Sequence, residues 1–229
     1  MTRRLIALFC WLTLAGSGLA QSEFRPPAVP LVACDPYFSI WSQADKLTDV
    51  DTTHWTGKPH RLTSQVIVDG QRLRLMGQNA DASPALPQTA VTVWPTRTIY
   101  EFSGNGIALT LTFMTPAFPE SMEWLSWPIT YVTYTVKSTD GKPHQVAVEF
   151  AANQEIAVDD PSQPTVWTTS AIEGLSAQRV GSATQTVLNR SGDDLRIDWG
   201  YLYVASPSSQ EPQWEEHRLQ LNLGEVNAS

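Results

Sequence analysis

Residues 51–62 read DTTHWTGKPHRL and put an acid, two imidazoles six residues apart and an indole inside twelve positions. Asp51, His54 and His60 are residue types that ligate divalent metals, and three such ligands with an open fourth position is the pattern of a catalytic zinc site. Zinc sites, however, carry close pairs such as His-x-x-x-His on one helix or Cys-x-x-Cys, and this segment has neither. A second reading is structural: Thr52 and Thr53 turn the chain, Trp55 packs on a sheet, and Gly57-Lys58-Pro59 leads into a strand from Ser64. A third has the loop lining a ligand or domain contact, because recognition residues gather on loops carried by a rigid scaffold. The residues favour the structural reading, and no metal or cofactor is expected.

Other chemistries leave weaker traces. There is no Gly-x-Ser-x-Gly elbow, and Cys34, beside Asp35-Pro36-Tyr37, has no signature of a catalytic thiol and reads as a small buried hydrophobe. Glycoside hydrolysis needs two carboxyl groups facing each other across a cleft. The pairs Asp159-Asp160, Asp193-Asp194 and Glu215-Glu216 are adjacent on turns and cannot do so; Glu120 and Glu123 are better placed, on a proline-bounded crossover. Eight tryptophans follow residue 20: Trp41, Trp55, Trp94, Trp124, Trp127, Trp167, Trp199 and Trp214. Indoles on a sandwich surface stack on sugars, but they also fill large cores and interdomain contacts. The candidate ligand or interdomain contacts are thus Trp41, Asp51, His54, Trp55, His60, Glu120 and Glu123. Asn189-Arg190-Ser191 and Asn227-Ala228-Ser229 match the glycosylation acceptor pattern, which matters only in a host with that machinery.

The elements that must position these groups are strands. Alternating runs flank Asp69-Gly70 in residues 64–76 and Gly104-Asn105-Gly106 in residues 97–113, each predicting a hairpin. A third hairpin is expected in residues 129–150, turning at Asp140-Gly141. Further runs fall at residues 165–172, 175–180, 184–188, 195–205 and 218–223, and no segment holds three turns of helical periodicity. The class is therefore all-β, a large antiparallel β-sandwich with an irregular N-terminal segment. Residues 115–128 form the crossover, with one helical turn expected near 120–125.

The first twenty residues combine Arg3 and Arg4 with an apolar run and end Gly-Leu-Ala, an export signal cut after Ala20. This divides the chain into a signal peptide (1–20), an irregular segment packing on the sandwich (21–63) and the sandwich (64–229), whose C-terminal edge reads as incomplete. A secreted or periplasmic protein without a membrane anchor is expected. Losing two arginines and no acid moves the formal charge from −8 to −10. An acidic chain with no Lys/Arg cluster is a poor partner for nucleic acid or an anionic membrane. Only Cys34 is left, so no internal disulfide forms and the hydrophobic core must carry stability.

RPPAVPLVACDPYFSIWS (25–42), HWTGKPHRL (54–62), the VDG turn (68–70), PITYVTYTVKSTDGKPHQVAVEF (128–150) and DLRIDWGYLYVA (194–205) resemble the N-terminal region of secreted glutaminase A-type proteins of fungi and bacteria. The resemblance implies a β-sandwich packed on a C-terminal α/α toroid, with the full-length protein hydrolysing the glutamine amide. No catalytic residue is carried over, since the chain stops before any toroid. The leading expectation is a non-catalytic sandwich domain, a fragment whose partner is that toroid. A stand-alone carbohydrate-binding module and an autonomous hydrolase using Glu120, Glu123 or the Asp51/His54/His60 loop are the alternatives.

Overall fold

The computed structural model describes residues 25–78, 82–192, 194–210, 213–215 and 217–227. The signal read at residues 1–20, Asp193 and Glu216 of the acid pairs, and the Trp214 side chain lie outside the described residues.

Prolines at 26, 27 and 30 keep the first stretch extended, and it pairs as β1 (Val29–Ala33) with β2 (Ser39–Ser42). Next come β3 (Leu62–Val68), β4 (Gln71–Met76), β5 (Gln88–Trp94), β6 (Arg97–Gly104) and β7 (Ile107–Met114). A single helical turn, α1 (Met122–Leu125), precedes β8 (Tyr131–Ser138), and Ser121 caps it by accepting from the Trp124 amide. The rest are β9 (His144–Ala152), β10 (Thr165–Ile172), β11 (Leu175–Ser182), β12 (Leu202–Pro207), β13 (Gln213–Glu215) and β14 (Arg218–Val226). The run 184–188 is not a strand: Leu188 takes a left-handed φ of 53° and is 80% exposed. In the 195–205 run, only the last residues are paired, as β12.

Two sheets face each other, in orders β13-β14-β9-β3-β4 and β5-β6-β7-β8. Asp69-Gly70 and Asn105-Gly106 hold consecutive positive φ angles of 51° and 82°, and of 52° and 76°. These are the dihedrals of type I′ turns, and they close β3 on β4 and β6 on β7.

Residues 129–150 do not form the expected hairpin. β8 pairs with β7, whereas β9 pairs with β3 and β14, so the link at Asp140-Gly141 carries the chain from one sheet to the other. The reason is packing. Val132, Tyr134 and Val136 of β8 and Val146 and Val148 of β9 all turn toward one core, from opposite layers. Alternation alone cannot distinguish that arch from a hairpin, because both give the same in-out pattern.

Ile107, Leu109, Leu111 and Phe113 of β7 are all buried, as are Tyr100 and Phe102 of β6, and they meet Val66, Val68, Leu73 and Leu75 of the facing sheet. Truncating a buried aromatic such as Phe113 removes about 3–5 kcal/mol. The N-terminal strands join the same core through Val29, Leu31 and Ile40. A three-stranded sheet, β10-β11-β12, completes the fold.

Candidate functional site

The 51–62 loop is built onto β2. Trp41 and Thr53 exchange backbone hydrogen bonds of 2.8 and 3.0 Å, and Thr53 bridges onward to Pro59, so the loop folds back as a short ribbon. Thr52 pins its base: the hydroxyl donates to the His60 carbonyl at 2.7 Å and accepts from the Leu62 amide at 2.8 Å. The threonines hold the base of the ribbon, and the chain reverses beyond them, at Trp55, Thr56 and Gly57.

Asp51 is engaged at both oxygens, accepting from Arg61 Nε at 2.9 Å and from the Gln78 amide at 2.9 Å. Arg61 in turn pairs with the buried Glu155 carboxylate at 2.7 Å. His54 has no exposed surface, and its Nε2 lies 2.9 Å from the Pro36 carbonyl. A carbonyl only accepts, so Nε2 carries the proton and Nδ1 accepts from the Thr56 hydroxyl at 2.9 Å. Neither ring nitrogen keeps a lone pair for a metal or for proton abstraction.

His60 is the opposite case. It is fully buried, its ring 4.9 Å from that of His54, and neither nitrogen has a hydrogen-bond partner among the described residues. Burial, with the nearby His54 and Arg196 adding to it, pushes its pKa down to about 3; the Ser39 backbone opposes weakly. Burial lowers His54 as well. Both imidazoles are neutral at ordinary pH. Arg196 is also buried; its Nε and Nη1 make no hydrogen bond among the described residues, and its Nε is 4.0 Å from Asp159, which is bridged by Arg190 at 2.7 Å. The loop is tied to this region by Lys58, 2.8 Å from Asp194, which holds that carboxyl below the usual range.

Trp55 is 57% exposed, its indole N–H donating to the Pro36 carbonyl at 2.7 Å. Trp41 is half-buried, and its indole nitrogen has no hydrogen-bond partner among the described residues. Glu120 and Glu123 sit on the exposed crossover. The structure therefore brings Asp51, His54, Trp55 and His60 onto one ribbon beside Trp41, but gives the first two partners of their own. Sequence reasoning did not find Arg61, Glu155 and Arg196, which lie far apart along the chain and carry no local motif.

A second surface is aromatic. Phe118, Met122, Trp124, Leu125, Trp127, Ile129 and Tyr131 are all more than 40% exposed along one short stretch, and the Trp124 and Trp127 rings lie 4.7 Å apart at 35°. Beside it a cavity of about 120 Å³ is lined by Leu31, Cys34, Trp94, Phe113, Leu125 and Trp127, among others. None of Asp51, His54 and His60 lines it. Cys34 Sγ lies 3.7 Å from the Thr130 hydroxyl, and burial raises its pKa.

Residues 96–224, more than half of the chain, match the sequence profile of a family described as a domain of unknown function, DUF5127. The chain belongs to the DUF5127 family. Residues 14–86 match a second such profile, a domain of unknown function called DUF4964. The DUF5127 stretch thus runs from the crossover-bearing sheet to β14, while DUF4964 carries the histidine loop. Glutaminase A of Aspergillus oryzae is 26% identical over 204 residues, covering 85% of this chain and 29% of that protein. A protein of Arthroderma benhamiae named "Probable glutaminase" is 25% identical over 229 residues, covering 87% of this chain and 25% of its own length. The chain therefore spans between a quarter and three tenths of the relatives it matches, and its resemblance to glutaminase A-type proteins holds along most of its length.

Proposed function

We propose that this chain is the non-catalytic β-sandwich of an exported glutaminase A-like protein, supporting a helical toroid formed by further polypeptide that carries glutamine amide hydrolysis. The observation that carries this reading is the coverage: 85% of the chain aligns with only 29% of glutaminase A. The site geometry agrees, since Asp51 and His54 are engaged by Arg61, Gln78, Pro36 and Thr56. The exposed apolar crossover suits a surface covered by another domain. Export fits the N-terminal signal pattern, and no helix among the described residues is long and apolar enough to cross a membrane.

The test is ammonia release from L-glutamine by the purified chain. No turnover above the blank is expected. Turnover abolished by Glu120→Gln, Glu123→Gln or His54→Gln would overturn the reading.

A second reading, a carbohydrate-binding module, draws on the exposed Trp55, Trp94, Trp124 and Trp127. Its test is titration of tryptophan fluorescence with a panel of oligosaccharides, where a flat response removes it. The 35° tilt between Trp124 and Trp127 makes a poor flat platform for a sugar ring and favours the first reading.

A further inference from the structure

His144 opens β9, where the chain has just crossed between the two sheets. Its Nδ1 is 2.7 Å from Asp69 Oδ2 in the β3–β4 turn, and its Nε2 is 3.0 Å from Asp140 Oδ1 in the arch. The same two carboxylates also hold backbone: Asp69 Oδ1 accepts from the Gln145 amide at 2.9 Å, and Asp140 Oδ1 from the Lys142 amide at 2.9 Å. A third turn closes over the ring. A Cβ on Gly106, in the β6–β7 turn, would stand 2.6 Å from Nε2 and 3.0 Å from Asp140 Oδ2. Turns from both layers thus converge on one imidazole.

A neutral imidazole carries one proton and can donate to only one of two flanking carboxylates; its other nitrogen would turn a lone pair toward the second. Only the imidazolium satisfies both. We propose that Asp69, His144 and Asp140 form a proton-operated clasp that holds the arch between the two sheets closed when His144 is charged and loosens it when His144 is neutral.

The surrounding charges are consistent with this. Lys142 is the other cation on the arch; the β6–β7 turn contributes Gly104, Asn105 and Gly106 and no charge. β14 sets Val226 opposite His144 and Glu225 opposite Gln145. The hydrogen bonds that His144 donates to Asp69 and then to Asp140 raise its pKa. His144 lowers the pKa of both acids, through the largest contribution at Asp69 and after the Lys142 amide at Asp140. The clasp is therefore complete between the depressed carboxyl values and the raised imidazole value. It opens first on the alkaline side.

The test is ring-nitrogen NMR of the ¹⁵N-labelled chain from about pH 5 to about pH 9, spanning the ordinary histidine value of about 6.5. The His144 ring signals, assigned in the unsubstituted chain by through-bond correlation to the His144 backbone, are expected to show both nitrogens protonated beyond that value. In Asp140→Asn the midpoint is expected to move down. Amide exchange read in parallel should show Gln145 and Lys142 gaining a step above intrinsic base catalysis as His144 deprotonates, absent in His144→Gln. A His144 midpoint at or below the ordinary value, or an identical exchange step in the variant, would overturn the proposal. The NMR titration uses the unsubstituted chain, so it decides the question even where a variant misfolds.

Discussion

His60 and His144 are one residue type at opposite extremes. His60 is sealed in the loop without a hydrogen-bond partner among the described residues and is neutral, its pKa pushed down to about 3. His144 lies between two carboxylates, and hydrogen bonding to them raises its pKa, favouring the charged form. The difference teaches that partners, not burial alone, set an imidazole's charge, since both side chains are largely hidden from solvent. Their effects on stability have opposite sign. Between about 3 and the unfolded value of about 6.5, unfolding lets His60 take up a proton, so its burial favours the native state more as pH rises, by up to about 1.4 kcal/mol per unit. For His144, the folded value is raised: its contribution is complete below about 6.5 and is lost as pH climbs through that folded value.

The strongest way to break this contrast is to charge the sealed site. His60→Lys buries an ammonium beside Arg196 and is expected to lose about 4 kcal/mol or more, seen as loss of a cooperative urea transition. Next is Gly106→Ala. That position combines a φ of 76° with the 2.6 Å contact to His144, and about 1–3 kcal/mol should go. Gly70→Ala, at φ 82° with open space around it, bears only the left-handed backbone penalty, about 1–2 kcal/mol, so the gap between the two midpoints isolates crowding at the clasp.

His144→Gln sharpens the comparison through pH. Its melting temperature should fall below that of the unsubstituted chain at about pH 6, and the two curves should converge as alkali neutralises His144. A parallel offset at every pH would contradict the charged assignment. The smallest change is expected from His60→Leu, which removes two unpaired buried nitrogens and keeps an apolar filler. At neutral pH it should lie within about 1 kcal/mol of the original, in either direction, while the acid-side slope in a pH series of urea melts flattens.

The hairpins at Asp69-Gly70 and Asn105-Gly106 were legible because those dipeptides supply positive φ where a type I′ turn needs it. Asp140-Gly141 gives the same local signal, yet there the chain changes sheets, a choice made by the core and invisible to alternation. The run 184–188 failed for a related reason: Val187 and Leu188 are apolar neighbours, but both face solvent and join no core. At the candidate site, residue types were readable and their partners were not. Asp51 meets Arg61 within the loop, but Glu155 and Arg196 arrive from elements 94 or more residues away. Asp69 and His144 stand 75 residues apart.

The register of β3 against β9 runs from Leu62↔Ala152 to Val68↔Val146, joining a strand inside the DUF4964 match to one inside the DUF5127 match. Cutting the polypeptide at the seam between the two profiles would strip β9 of that neighbour and bare seven consecutive pairing positions rich in valine and alanine. Such an open ladder templates stacking with other molecules. An expression clone drawn from the sequence profiles alone would be expected to yield inclusion bodies, and a gene that keeps the pair together would not.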